Sequence, residues 1–144
     1  MLLSDGSVLA AFPKSAWTDV ISVSLRLNAA IAINSRRVPI LEDGRKLTDV
    51  RAVAAYVEEK HYLCLDMEGY VHTDVPLGCR ETVKAASICG RGYVLATENA
   101  IKRYSFSGKC DRQWDIPGVT ELMASDFAIA YWDQDSGTVK MLEQ

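Results

Sequence analysis

The stretch His61-Tyr62-Leu63-Cys64-Leu65-Asp66 contains the apolar run 62–65, and the turn Met67-Glu68-Gly69 and the pair Tyr70-Val71 follow it directly. Short apolar runs flanked by turn residues are typical of β-strands. A glycine in the turn supplies the positive φ that a hairpin requires. The stretch therefore predicts two antiparallel strands joined at Glu68-Gly69.

The same order of elements recurs along the chain, and each copy opens with a valine-containing strand. The copies begin at Val20, Val50, Val83 and Val119, so the intervals are 30, 33 and 36 residues. Apolar alternation with period two favours strands over helices. The predicted strands are 20–25, 30–34, 50–54, 62–66, 83–87, 93–97 and 128–131, with third strands around Val38, Val71, Ile101 and Val139. Segment 52–60, the best helical candidate, is predicted as strand and loop because the other copies have strand and loop there.

These copies divide the chain into repeated units within one domain, 1–144. The units are about 19–48, 49–81, 82–118 and 119–144, and residues 1–18 form a partial unit. Within the partial unit, Leu2 to Leu9 repeats the strand, turn and third strand but lacks an opening strand.

Repeats of this length made only of short strands are typical of β-propellers or β-solenoids. The pattern Asp-Val-x-x-Val followed by a run such as 27–33 or 61–71 resembles the RCC1-like β-propeller repeat. The copies lack the Gly after the Val-rich strand and the Trp-Gly that closes the Val strand in that family, and a Kelch-like or quinoprotein-like blade would give a similar pattern. The resemblance implies an all-β fold, a small propeller-like array of about four to five RCC1-like blades. The apolar residues expected between blades are Ile31, Ile33, Leu63, Leu65, Val94, Ala96, Ala128 and Ile129.

An incomplete ring of blades leaves strand edges that recruit other strands. One interpretation is closure by the termini, in which residues 2–12 pair in the same sheet as residues 119–141. A second is oligomerisation, with chains joined edge to edge in a larger ring. A third is that the chain is a piece of a longer protein.

Composition limits the class of protein. The 144 residues are 49% hydrophobic and 24% charged, the balance of a soluble globular protein. Sixteen Lys and Arg against nineteen Asp and Glu give a net charge of −3, which does not favour nucleic acid as a partner. The sequence shows neither a long apolar segment for a membrane nor an export signal. Four cysteines without a Cys-x-x-Cys pair predict reduced thiols and a cytoplasmic location, with a virion as the other location considered.

Motifs for chemistry are scarce. The sequence has no glycine-rich phosphate loop and no nucleophile elbow, so no cofactor is predicted. His61 and Cys64 are three apart on a predicted strand and would point to opposite faces. His61 is expected to hydrogen-bond backbone, and a small hydrolase or lyase that uses His61 or His72 is the remaining enzymatic hypothesis. The acidic stretch 133–137 is interpreted as a solvated turn, so no metal site is predicted.

The function predicted from these features is a non-enzymatic β-propeller-type protein-binding module. The resemblance implies protein partners rather than a reaction, and no partner can be identified. Arg and Trp dominate binding hot spots. The candidate binding residues are Trp17, Tyr56, Arg112, Trp114, Arg36 and Arg37. The alternative is a structural or accessory component of a phage or other multi-subunit particle, with a homo-oligomer formed through strand edges.

Overall fold

The computed structural model describes residue 17 and residues 19–26 and 29–144 of the chain. This part contains strands and no helix, which confirms the all-β prediction. No helix long and apolar enough to cross a membrane occurs in the described residues. The strands are β1 Val20–Arg26, β2 Ala29–Asn34, β3 Pro39–Leu41, β4 Ala52–Glu58, β5 His61–Asp66, β6 Val71–Thr73, β7 Val83–Cys89, β8 Gly92–Thr97, β9 Ile101–Tyr104, β10 Cys110–Trp114, β11 Leu122–Ala124, β12 Ala128–Asp133 and β13 Thr138–Glu143.

The strands form four separate antiparallel sheets, each from consecutive segments of the chain. We call them blade 1 (β1-β2-β3), blade 2 (β4-β5-β6), blade 3 (β7-β8-β9-β10) and blade 4 (β11-β12-β13). Each blade has an inner strand, a middle strand and at least one outer strand, and neighbours are joined by hairpins. Local pairing of this kind follows directly from the repeated strand and turn pattern.

The middle strands lie close to where the sequence predicts them. β2, β5, β8 and β12 each differ from the predicted bounds by at most two residues at either end. The expected core residues of these strands are buried, namely Ile31, Ile33, Leu63, Leu65, Val94, Ala96 and Ile129. Ala128 is the exception, because it begins β12 at the end of the sheet and is only partly buried.

The predicted repeat alignment is wrong by two residues in blade 2. The inner strand β4 begins at Ala52 rather than Val50 and continues to Glu58, beyond the predicted end at residue 54. Each inner strand of blades 1 to 3 carries a β-bulge after its first residue, which aligns Ala52 with Val20 and Val83. The bulge and the pairing with β5 fix the register of β4. The valine pattern of the sequence shows neither of them.

Polar residues end the middle strands and cap the hairpin turns. In blade 1 the Oδ1 atom of Asn34 accepts hydrogen bonds from the backbone N–H groups of Arg36 and Val38, at 3.0 Å each. Asp66 accepts two backbone N–H groups in the corresponding turn of blade 2. Such side-chain caps satisfy backbone donors in a turn, which explains why local sequence places these hairpins well.

Backbone hydrogen bonds tie each of the first three turns to the blade that follows. The bonds run from Ala52 N to Arg37 O (2.8 Å), from Val83 N to Gly69 O (2.7 Å) and from Gly118 N to Glu98 O (3.0 Å). Apolar clusters fill the spaces between neighbouring sheets. Ile31 and Ile33 pack with Ala55 between blades 1 and 2, and corresponding clusters lie between blades 2 and 3 and between blades 3 and 4. The blades therefore pack face to face in chain order.

Two parts of the prediction differ from the structure or lie outside it. The strand β10 was not predicted, because Cys110–Trp114 is mostly exposed and has no apolar alternation. The predicted pairing of residues 2–12 with residues 119–141 falls outside the described residues. Within the described residues, blade 4 consists of β11, β12 and β13, from Leu122 to Glu143.

Candidate functional site

The predicted binding residues of blade 1 lie at separate places. The indole Nε1 of Trp17 donates a hydrogen bond to the carbonyl oxygen of Leu41 at 2.9 Å. Arg36 and Arg37 are exposed in the turn between β2 and β3, where Arg37 has a positive φ of 66°. Trp17 therefore packs beside the outer strand, while the two arginines lie in a hairpin turn.

The remaining predicted residues lie on blades 2 and 3. Tyr56 is partly buried in β4 beside the cluster between blades 2 and 3, and burial raises its pKa. The Arg112 guanidinium lies over the Trp114 ring, 4.7 Å from its centroid, which is a cation–π contact. The structure thus brings Arg112 and Trp114 together on β10, but it does not gather the six predicted residues into one surface.

His61 belongs to a hydrogen-bonded cluster that links blades 2 and 3. Its Nδ1 lies 2.7 Å from Oδ2 of Asp74, whose Oδ1 accepts hydrogen bonds from Tyr62 N (2.8 Å) and the Tyr93 hydroxyl (2.6 Å). Its ring stacks on Phe106 with centroids 3.8 Å apart. Burial raises the pKa of Asp74, but these hydrogen bonds outweigh it and hold the pKa below the usual range. The prediction that His61 hydrogen-bonds backbone is therefore wrong, because its partner is the Asp74 carboxylate.

The second histidine and the central cysteine are also held by their surroundings. His72 Nε2 lies 2.8 Å from Oδ2 of Asp66. Burial, with a contribution from the Asp66 carboxylate, raises the pKa of Cys64 to about 11, so the thiol stays protonated at neutral pH. Among the described residues, no group of three or more His, Cys, Asp or Glu side chains could hold a metal ion.

A cavity of about 640 Å³ lies between the blades. The inner strands of all four blades contribute to its wall, together with Ala128 and Ala130 of β12 and Met141 of β13. Arg26 spans one side, since its Nε is 2.5 Å from Oε2 of Glu58 and its Nη2 donates to the carbonyl oxygen of Ile88 at 3.2 Å. These contacts connect blade 1 to blades 2 and 3.

One face of blade 4 is apolar and exposed, unlike the corresponding faces of the other blades. The second-last residues of the other middle strands, Ile33, Leu65 and Ala96, are 2%, 5% and 0% exposed, because each packs against the next blade. The corresponding residue of β12, Trp132, is 37% exposed. We call its face the forward face of blade 4, comprising Met123, Ala130, Trp132, Val139 and Met141, which are neighbours by strand register. The exposures of Met123, Val139 and Met141 are 73%, 65% and 69%.

The opposite end of the array also shows an exposed apolar residue. Val57 and Ile88 occupy corresponding positions of β4 and β7 and are 5% and 2% exposed beneath the preceding blade. Leu25 occupies that position in β1 and is 41% exposed. We call the side of blade 1 that carries Leu25 its rear face. The two ends of the array therefore carry unlike faces, one forward and one rear.

The sequence contains a signal for the forward face, although none of the six candidate binding residues belongs to it. Residues Ala128 to Trp132 form a continuous apolar run. Such a run is typical of a strand that is covered on both faces. The structure covers the face that carries Ile129 and Tyr131, against blade 3, and leaves the face of Trp132 open.

Comparison with known proteins identifies the fold as propeller-like. The computationally designed Ika4 protein matches at a TM-score of 0.63 and 16% identity, over 90% of this chain and 95% of that chain. The computationally designed Ika8 protein matches at 0.62 and 16% identity, over 86% of this chain and 45% of that one. The WD40 β-propeller domain of Doa1 matches at a TM-score of 0.58 and 12% identity, over 87% of this chain and 51% of that chain. This chain thus spans about half the length of the last two proteins. No family model and no curated protein matches the sequence.

Proposed function

We propose that the protein is a non-enzymatic protein-binding module and that the forward face of blade 4 is its binding surface. The observation that carries the proposal is the exposure of Trp132, which lies where the other blades bury a residue against the next blade. Contiguous exposed apolar surface on a soluble protein marks an interaction site. Aromatic residues and methionine are also the types enriched at protein interfaces.

The shape and charge of this face favour a protein over other ligands. Small molecules prefer enclosed clefts, whereas Val139 on the forward face is 65% exposed and lies outside the wall of the cavity between the blades. The charged neighbour Lys140 is paired with Asp133, its Nζ lying 2.7 Å from a carboxylate oxygen. A chain with a net charge of −3 also has no general attraction for nucleic acid or an anionic membrane.

The non-enzymatic part of the proposal is supported by the roles of the two histidines. His61 and His72 each contact an aspartate that also caps backbone or side-chain donors. These contacts stabilise the hairpins of blade 2 and its packing on blade 3. The RCC1-like resemblance stays a prediction beside this proposal.

The test is site-specific photo-crosslinking of the full chain in its native host. A benzophenone amino acid replaces Met123 on the forward face, and the matched control carries it at Met67, a 55% exposed methionine outside that face. We expect a light-dependent polypeptide adduct at position 123 but not at position 67, and its loss on Met141→Lys. Equal polypeptide labelling at both positions, or none at position 123, would overturn the proposal.

A structural subunit of a multi-chain particle is the second candidate function. The unlike ends of the array favour it, because a contact between a forward face and a rear face is heterologous and builds rings or open assemblies. Light scattering of the purified chain after size-exclusion chromatography separates the candidates. Assemblies of many copies would favour the particle subunit, and small discrete species would favour the binding module.

A further inference from the structure

We infer that the partner on the forward face of blade 4 is a second copy of this chain, which contributes the rear face of its blade 1. The inference rests on the proposed function and names the partner of the same surface. The contact is placed along β1 at Leu25, since Ala30 and Ala32 on that side of blade 1 are already buried. Two chains would then form a ring with two identical junctions.

The first argument is continuity with the packing inside the chain. Every junction between blades 1, 2, 3 and 4 brings a forward face against a rear face. At the first of these junctions, Ile31 and Ile33 of the forward face meet Val57 of the rear face. Trp132 and Leu25 occupy the corresponding positions at the two ends of the array. The surface that fits a forward face is therefore a rear face of the same kind.

The second argument is the size of the space between the two ends. Leu25 and Met123 both line the cavity of about 640 Å³. A water molecule occupies about 30 Å³ of liquid, so this space corresponds to about twenty waters. A change of side-chain rotamer does not fill such a volume. Its wall is mixed, since Ser22 and Arg26 are polar, whereas Leu25 and Met123 are apolar and gain by being covered. A whole inner strand with its side chains is an occupant of suitable size.

The third argument is symmetry. The described residues of one chain present one forward face and one rear face at the two ends of the array, and these two faces are unlike. In a two-chain ring with two-fold symmetry, each forward face meets β1 of the other chain at Leu25, so the exposed residues Leu25 and Met123 are both covered. Longer propeller-like chains show that such an array can be continued, because this chain matches about half of the Ika8 protein and of the Doa1 domain.

The first experiment measures molar mass by light scattering across a range of protein concentrations. We expect a species of two chains, twice the 15.9 kDa of one chain. The double variant Met123→Lys/Met141→Lys should fall to the mass of one chain with unchanged circular dichroism. Met67→Lys is the matched control and should keep the mass of two chains. A single-chain mass for the unmodified protein at every concentration would overturn the inference.

A disulfide trap decides which surfaces meet and whether they belong to one chain or two. Leu25→Cys and Met123→Cys are made in two differently tagged full chains whose Cys79 and Cys110 are replaced by serine. We expect mixing and oxidation to link the two tags. A double-cysteine chain that closes only on itself would show that the chain's own blade 1 covers the face, and this overturns the inference. A photo-crosslink from position 123 to a different protein would also overturn it but would leave the proposed function intact.

Discussion

Arg37 occupies the turn position that Gly69 fills in blade 2, and both have positive φ, 66° and 92°. A left-handed backbone conformation destabilises a residue that has a Cβ by about 1–2 kcal/mol. Glycine avoids this cost, but its greater freedom in the unfolded chain lowers the stability of the folded state by about 0.5–1 kcal/mol. We therefore expect Arg37→Gly to stabilise the protein by up to about 1 kcal/mol. Urea unfolding followed by circular dichroism, at one fixed protein concentration, measures the change.

The reciprocal variant Gly69→Ala should destabilise the protein. A Cβ at position 69 would lie 2.5 Å from Cγ2 of Thr82, in addition to the cost of the positive φ. The expected loss is about 2 kcal/mol. A loss of stability in Arg37→Gly, or none in Gly69→Ala, would contradict the correspondence of the two turns.

The Asp74 cluster predicts how stability changes in acid. An aspartate that titrates below its unfolded value stabilises the fold above that value, about pH 3.9, and the contribution is lost as the pH falls through the folded pKa. We expect the free energy of unfolding to decrease below about pH 4. Asp74→Asn should lower stability at pH 7 and flatten this acid dependence.

Urea titrations at several pH values measure the effect of Asp74. Asp135→Asn, a change at an exposed residue in the turn of blade 4, is the matched control and should keep the acid dependence. The pKa of Asp66 also lies below its usual range, because hydrogen bonds from His72 and two backbone N–H groups outweigh the effect of burial. Part of the acid dependence should therefore remain in Asp74→Asn. An identical acid dependence in the wild type and Asp74→Asn would be inconsistent with this assignment.

Sequence predicted residue roles where the determinants are local. Gly69 sits in a turn that its own neighbours define, and the hairpin occurs at Glu68-Gly69, where the sequence predicts it. The partner of His61 was not predictable in this way, because Asp74 lies thirteen residues further along the chain and in a loop. The exposure of Trp132 depends on what packs against blade 4, which no local pattern contains.

At the scale of the element, Ser87 is a connection between the inner strands of blades 3 and 4. Its Oγ accepts a hydrogen bond from the backbone N–H of Ala124 at 3.1 Å, and both residues are buried. Ser87→Ala leaves that N–H without its partner, which costs about 1–3 kcal/mol. We expect a lower thermal midpoint, measured by calorimetry.

Ser24→Ala is the matched control for Ser87. Ser24 occupies the corresponding position of β1, as its pairing with Ile31 shows, and is partly buried. Its replacement should change stability by less than about 0.5 kcal/mol. Equal losses in the two variants would show that the hydrogen bond to β11 does not stabilise the junction.

Elements with a continuous apolar run were predicted well, and elements defined by their partners were not. β5 and β8 begin and end within one residue of the predicted bounds. β4 is displaced because Val50 resembles the opening valine of the other copies, whereas pairing with β5 and a bulge decide its start at Ala52. β10 pairs with β9 through its backbone and has little apolar pattern to reveal it.

At the scale of the whole molecule, stability should vary along the array of blades. Blades contact their neighbours, so stability is approximately a sum of blade and junction contributions. Blade 3 packs on both sides, and all six residues of β8 are buried. Blades 1 and 4 each have an end face with exposed apolar residues, Leu25 on one and Trp132 on the other. The array is therefore expected to open first at its ends and last at β8.

Amide hydrogen exchange tests this gradient and its dependence on a second chain. We expect the slowest exchange in β8 at every protein concentration, because its protection comes from packing within one chain. Protection of β12 and β13 should rise with concentration, since a second copy would cover the forward face that carries Trp132 and Met141. The Met123→Lys/Met141→Lys variant should lose this rise while β8 keeps its protection. Exchange in β12 and β13 that is independent of concentration, with the same pattern in the variant, would mean that the forward face meets no second copy in solution.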